Sequence, residues 1–371
     1  MGLTTMIAAR DRLVAAADEA LTGEQVCAEI ARALQRVAPY DAAAVMTTDP
    51  DSHLPAGGVV SGFDASECAP FWDNELLDPD FNKFNDLARS PDPVATLVEA
   101  TDGDLTRSPR HQKLYAAYGA SDELRAVVMA GDRCLAIGAF VRTGGAVFDA
   151  QELCDVRALL APATTLLRRA LGRCAPTASM PAPTVLILDA ADRVISMTSD
   201  GAAMLSELMT GQLGVSRALE GTDPHALPGT IQVAVSHTRA SRSSTRFTTR
   251  LRGRSGVWVQ VHVASLDGPG EQVAVSIDAI RSAELIPLLL ESYGLTTREI
   301  EIVLCLCRGL PTKEIAAELA ISTHTVRDHL KAVFEKTHVT TRGELVAGLF
   351  TSQLLTGLHE TTERIEDPVG R

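Results

Sequence analysis

The sequence predicts a multidomain chain: two α+β domains in series, each an antiparallel sheet with flanking helices, followed by an all-α domain of four short helices. Three observations predict it. Strand-like runs bracketed by helical stretches occur twice. A proline-rich break, RCAPTASMPAPT, lies between the two sets. After about residue 294 the apolar spacing is helical throughout. At 371 residues the chain is too long for one ordinary domain, and 46% hydrophobic composition is enough for several cores.

The first block is read as residues 1–172. Val26, Ile30, Ala33, Leu34 and Val37 have helical spacing. Strand-like runs follow at Ala42–Thr47, Gly58–Phe63 and Val94–Val98. Leu124–Ala130 and Cys134–Val141 flank a short Gly131-Asp132-Arg133 turn, a hairpin pattern. Leu153, Val156, Leu159, Leu160, Ala163, Leu166, Leu167 and Leu171 form the apolar stripe of a closing helix. Residues 173–184 read as a linker.

The second block is read as residues 185–281. VLILD, a turn and RVISM open it as a hairpin. Helix-like sequence occupies Gly201–Thr210 and part of Leu227–Ala240. Three strands are expected at Thr245–Leu251, Val257–Ser265 and Gln272–Asp278. In VWVQVHV the alternation predicts valines on one face and Trp258, Gln260 and His262 on the other. Residues 282–293 read as a connecting helix. In order and spacing, the two blocks resemble the sensory modules called GAF and PAS.

The last domain is read as residues 294–356, with a tail at 357–371. Thr296 and Glu299 have capping-box spacing at the start of its first helix. Gly309 suits the left-handed position that ends it, and Pro311 suits the first turn of the next helix. Ser322 is a natural N-cap for a third helix, in which Val326, Leu330, Val333 and Thr337 form a buried stripe. His324, Arg327, Asp328, Lys331 and Glu335 fall on the opposite side. Such a helix fits the DNA major groove: Arg327 and Lys331 can donate to guanine, and Asp328 can accept from a cytosine amino group. A fourth helix, with Leu345, Val346, Leu349 and Phe350, offers more apolar surface than one small core uses. A second copy of the chain is its expected partner, in a two-fold dimer that reads a two-fold DNA site.

The stretch LTTREIEIVLCLCRGLPTKEIAAELAISTHTVRDHLKAVFEK resembles the LuxR-type helix-turn-helix of bacterial transcription regulators. The resemblance rests on Leu295, Thr296, Arg298, Glu299, Gly309, Lys313, Glu314, Ile315, Ala316, Ile321, Ser322, Thr325, Val326, His329 and Lys336 at the family's spacing. It implies base contacts from Arg327, Asp328 and Lys331. It also implies a place near phosphates for Thr312, Lys313, Thr323, Thr325 and Lys336, with His324 on the same DNA-facing side. Arg298 and Glu299 are implied to hold helices together. Two departures stand out. Thr337-His338 replace a leucine-glycine pair, and Pro311 stands where a capping serine is common, leaving Thr312 to substitute.

Net charge is −13, yet Tyr293–Phe350 carries seven basic and seven acidic residues. An acidic bulk tied to a neutral reader resists indiscriminate DNA binding. The seven cysteines are odd in number and lack CxxC spacing, which argues against a disulfide framework or zinc site. His225, His237 and His262 lack metal spacing. The run with Asp78, Asp80 and Asp86 lacks calcium-loop spacing and reads as a solvated helical surface. No catalytic constellation and no cofactor motif is found. The N-terminus lacks signal-peptide features and no apolar run approaches a membrane span, so a cytoplasmic location is expected.

The expectation is a homodimeric transcription regulator that binds double-stranded DNA. Its front domains sense an unspecified signal, with a small-molecule ligand and RNA polymerase as further partner classes. The alternative is a small-molecule sensor acting mainly through protein partners, with a weak DNA reader.

Overall fold

The computed structural model describes residues 3–19, 21–49, 54–63, 68–131, 133–172, 182–209, 211–212, 227–240, 247–255, 257–268, 270–280, 290, 293–337 and 339–347. The chain falls into two compact units, residues 1–167 with 181–279 and residues 168–180 with 280–371.

The larger unit opens with α1 (Leu3–Ala16) and α2 (Gly23–Val37). Helix α2 starts where Thr22 and Gln25 form a reciprocal capping box, and it buries Val26, Ile30, Leu34 and Val37. Strands β1 (Ala42–Thr48) and β2 (Pro55–Ser61) follow, then α3 (Cys68–Leu77), α4 (Phe84–Arg89), β3 (Val94–Thr96) and α5 (Leu97–Ala100). The hairpin β4 (Ala120–Ala130) and β5 (Arg133–Thr143) leads into α6 (Ala150–Gly172). One face of the sheet, with Val45, Ala126, Val128 and Phe140, packs on Ile30 and Leu34 of α2 and Leu159 and Ala163 of α6.

The expected strand Val94–Val98 is shorter. It ends at Thr96, whose hydroxyl accepts the Glu99 N–H at 3.3 Å and starts α5.

The second sheet contains β6 (Thr184–Leu188), β7 (Val194–Met197), β9 (Phe247–Arg252), β10 (Trp258–Ser265) and β11 (Val273–Ala279). Its order is β7-β6-β11-β10-β9, antiparallel throughout. Helices α7 (Gly201–Glu207) and α8 (Gly229–Ala240) share its core, with Leu205, Ile231 and Val235 against Val259, Val261 and Val263. Trp258 lies on the face opposite these valines, as the alternation predicts, yet is only 4% exposed. Its ring lies 5.8 Å from the Arg252 guanidinium, whose stem reaches to within 3.6 Å of where a Cβ on Gly23 would stand. The first block thus covers this end of the second sheet.

The two blocks are therefore joined beyond the chain itself. Strand β8 (Gly211–Gln212), from the second block, pairs in parallel with β2 and extends the first sheet to β3-β4-β5-β1-β2-β8. Val233 of α8 sits in a core cluster with Trp72, Phe84 and Ile137. Arg250 holds Asp49 at 2.7 Å, with the Asp49 side chain only 3% exposed. Most of the expected linker, residues 173–181, and most of the expected connecting helix, 281–289 and 291–292, lie outside the described residues.

The smaller unit contains a first helix (Thr297–Cys307), a second (Thr312–Glu318) and a third (Thr323–Thr337). They share a core of Ile300, Val303, Ile315, Val326, Leu330, Val333 and Leu345. Among the described residues no helix is long and apolar enough to cross a membrane.

Candidate nucleic-acid interface

Local sequence rules build the site. Thr296 accepts the Glu299 N–H at 3.3 Å, and the Glu299 carboxylate accepts the Thr296 N–H at 2.6 Å, closing the capping box. The first helix ends in a Schellman motif: Gly309 N–H donates to Leu306 O at 2.8 Å and Leu310 N–H to Cys305 O at 3.2 Å. The second helix ends the same way, with Ala320 N–H to Ala317 O at 3.3 Å and Ile321 N–H to Ala316 O at 2.9 Å. Here the left-handed residue is not glycine: Ala320 has φ 51°. This turn delivers the chain to Ser322, whose hydroxyl accepts the Thr325 N–H at 3.0 Å and starts the third helix.

The third helix buries Val326, Leu330, Val333 and Thr337, the stripe expected from spacing. His324, Arg327, Asp328, Lys331 and Glu335 are exposed on the other side. His324 Nδ1 stands 3.8 Å from Asp328 Oδ1, one helical turn on. Thr323 and Thr325 are half-buried at the helix start, and Lys313 is exposed on the second helix. Arg327, Lys331 and Arg342 border a groove with Leu330, Phe334 and Val339.

Two residues depart from their expected places. Lys336 does not extend toward solvent phosphates. Its Nζ lies 3.0 and 2.7 Å from the two Glu299 oxygens, so it binds the third helix to the cap of the first. Burial pushes the Glu299 pKa up. The Lys336 hydrogen bond, the Thr296 bonds and the lysine charge outweigh burial and leave it below the ordinary carboxylate value. Thr312 does not cap the second helix either. Pro311 is the N-cap, without a side-chain bond, and the Thr312 hydroxyl accepts from Arg342. Arg342 was not singled out in the sequence, and no local pattern points to it.

Ion pairs tie three of the seven basic residues into the scaffold. Arg298 pairs with Glu301 at 2.6 Å and donates to Leu319 O; Arg308 pairs with Glu318 at 2.5 Å; Lys336 pairs with Glu299. These pairs consume acids inside the scaffold. Lys313, Arg327, Lys331 and Arg342 have no carboxylate partner among the described residues; Glu314, Asp328 and Glu335 are exposed on the same two helices, so this surface is mixed in charge.

Of the expected dimer contacts, Leu345 is only 2% exposed, in its own domain's core, and so has little surface to offer a partner. Val346 is half-buried, while Leu349 and Phe350 lie outside the described residues, as does the tail.

Three helices, a left-handed turn and an exposed polar third-helix face define a helix-turn-helix domain. Residues 294–348 match the family described as bacterial regulatory proteins, luxR family. The C-terminal domain is thus a luxR-family helix-turn-helix. It is 47% identical over 53 residues to the transcriptional activator protein ExaE of Pseudomonas putida, covering 14% of this chain and 25% of that protein. The chain is 34% identical over 87 residues to the transcriptional regulatory protein DesR of Bacillus subtilis (strain 168), covering 22% of this chain and 44% of that protein. The match thus spans less than half the length of either relative. Among solved structures, SdiA in complex with octanoyl-rac-glycerol is similar at 13% identity and TM-score 0.32, covering 95% of this chain and 97% of that one. VqmA bound to DPO is similar at 13% identity and TM-score 0.20, covering 46% and 82%.

In the larger unit, Asp80 departs from the solvated surface expected of its acidic run. Its side chain is 0% exposed and accepts from Ser108 Oγ at 2.8 Å, Arg110 N–H at 2.7 Å and Phe81 N–H at 2.7 Å. His237 packs on Phe247 with ring centroids 4.6 Å apart, and burial lowers its pKa. His262 Nδ1 lies 2.9 Å from the Thr248 hydroxyl. His225 is outside the described residues.

Proposed function

We propose that the protein is a sequence-specific DNA-binding transcription regulator, with GAF-like and PAS-like front domains that sense a signal and control the C-terminal reader. One observation carries the DNA-binding part. The third helix presents Arg327, Asp328 and Lys331 together on an exposed face, while Arg298, Arg308 and Lys336 are tied into the domain's scaffold.

In this reading Arg327 and Lys331 donate to guanine edges and Asp328 accepts from a cytosine amino group. Lys313, Thr312, Thr323, Thr325 and His324 lie beside phosphates, and Arg342 joins them. Phosphate contacts set position and affinity; base contacts set sequence. The relatives' names, a transcriptional activator and a transcriptional regulatory protein, support the regulatory part. A homodimer in the cytoplasm is the working state of this reading.

The test is retention of fragmented DNA from the protein's own genome by the full chain at about 150 mM salt. A shared inverted repeat among the retained fragments is the expected result. Retention without sequence preference, falling only shallowly with salt, would instead favour the sensor that works through protein partners.

A further inference from the structure

The groove beside the third helix has a volume of about 380 Å³. Its floor is apolar: Leu330 is buried, while Phe334 and Val339 are half-buried and keep surface open to it. Its rim sets three cations, Arg327, Lys331 and Arg342, against one acid, Glu335. DNA accounts for the rim and not for the floor. Phosphates and base edges are mostly polar, and apolar surface gains little by facing them. In the DNA-free protein the same floor would face water, which apolar surface disfavours.

The sequence just beyond the described residues supplies the complementary chemistry. Residues 357–371 read GLHETTERIEDPVGR. Four carboxylates, Glu360, Glu363, Glu366 and Asp367, stand against two arginines, Arg364 and Arg371, for a net −2. Ile365 is the apolar residue among them, between Arg364 and Glu366. An apolar side chain set among acids matches an apolar floor set among cations. The minority charges match as well, since Arg364 has the Glu335 of the rim to face. Distance poses no obstacle. Ile365 follows Ala347 by 18 residues, a reach of up to about 60 Å when extended, and Arg342 of the rim precedes Ala347 by only five.

We propose that residues 357–371 fold back onto this groove in the DNA-free protein, with Ile365 on the floor and the acids against Arg327, Lys331 and Arg342. The contact is self-inhibiting. It covers the two cations, Arg327 and Lys331, assigned above to base edges, and it rests on that assignment. Tethering makes weak contacts sufficient. A segment on a short linker meets its site at an effective concentration near millimolar, so an affinity too low to hold a free peptide still keeps the groove covered for much of the time. Every duplex that enters must displace the segment. The tail therefore lowers affinity for all sequences by one common factor and leaves the preference among them unchanged.

The test uses the full chain, with the exposed Glu335 of the rim replaced by the photocrosslinker p-benzoylphenylalanine. Irradiation without DNA, then digestion and mass spectrometry, is expected to join position 335 to residues 357–371 of the same copy. If that replacement lowers the unfolding temperature, the exposed Thr340 beside Val339 carries the crosslinker instead. Ile365→Asn alters no charge and is expected to lower the crosslink yield about fivefold. In the chain without crosslinker the same substitution should raise affinity for a random duplex of about two helical turns by about two- to threefold, read by fluorescence anisotropy. Mere repulsion between an acidic tail and DNA predicts no effect of Ile365→Asn. No crosslink to the tail, crosslinks only to a second copy, or an Ile365→Asn chain that keeps either the parent yield or the parent's measurable duplex affinity overturns the proposal. Failure of the DNA-reading assignment looks different: the crosslink forms and depends on Ile365, yet neither chain binds any duplex.

Discussion

Ala320 gives a sharp test of how the helix-turn-helix is held. It occupies the left-handed position of a Schellman turn with φ 51°, where the equivalent turn after the first helix uses Gly309 at φ 82°. The left-handed conformation costs an L-residue about 1–2 kcal/mol, because Cβ crowds the following carbonyl. Ala320→Gly removes that cost and adds about 0.5–1 kcal/mol of backbone entropy to the unfolded chain. Ala320 is exposed, so little packing is lost. The balance is a gain of about 0.5–1 kcal/mol. Native-state hydrogen exchange at the Ile315 and Val326 amides, in the full chain, reads this locally. Protection should rise about two- to fivefold. Gly309→Ala should lower it by a similar factor. Unchanged or reduced protection in Ala320→Gly would refute the strain argument and mean that the turn is set by the Ile321 and Ser322 contacts instead.

The remaining predictions concern contacts of known geometry. Lys336→Met strands the Glu299 carboxylate, 5% exposed, and should cost about 1–3 kcal/mol of domain stability while leaving the salt slope of DNA binding unchanged; a slope reduced by about one would restore Lys336 to the phosphate contacts. Because the folded pKa of Glu299 is depressed, its stabilisation is fully present above the unfolded value and is lost as pH falls through the folded one. Acid titration followed by exchange at Ile300 should therefore show loosening only below pH 4.5, and the loss should vanish in Glu299→Gln. Arg327→Ala should relax preference at one base position by about 1–3 kcal/mol, measured by competition between single-base operator variants. Asp49→Asn removes a 3% exposed carboxylate from the half-buried Arg250 and should cost about 1–3 kcal/mol, with the signals of both sheets melting together in denaturant.

The parts of the fold that local chemistry dictates were legible in the sequence. The capping box at Thr296 and Glu299, the stop at Gly309 and the Ser322 cap are decided within a few residues, and the third-helix stripe follows from spacing alone. The β4–β5 hairpin was visible for the same reason. What escaped depends on partners far along the chain. Trp258 alternates as a surface residue should, but its face is covered by the first block. Asp80 sits in an acidic run and is nonetheless a buried acceptor, because Ser108 and Arg110 fold over it. Lys336 was assigned by resemblance to a phosphate contact; the Glu299 it binds is 37 residues away, and helical spacing carries no sign of that pair.

The pairing of β8 with β2 has a consequence for biogenesis. A ribosome delivers the first five strands of the β3-β4-β5-β1-β2-β8 sheet well before Gly211 and Gln212. During that interval the β2 edge has no neighbour, and a bare edge invites pairing with another nascent chain. Asp49 waits longer still, until Arg250 has left the exit tunnel. The front unit therefore matures late and as a whole. Premature termination anywhere between residues 143 and 211 yields a sheet with one sticky side, a natural client for chaperones that shield exposed strands.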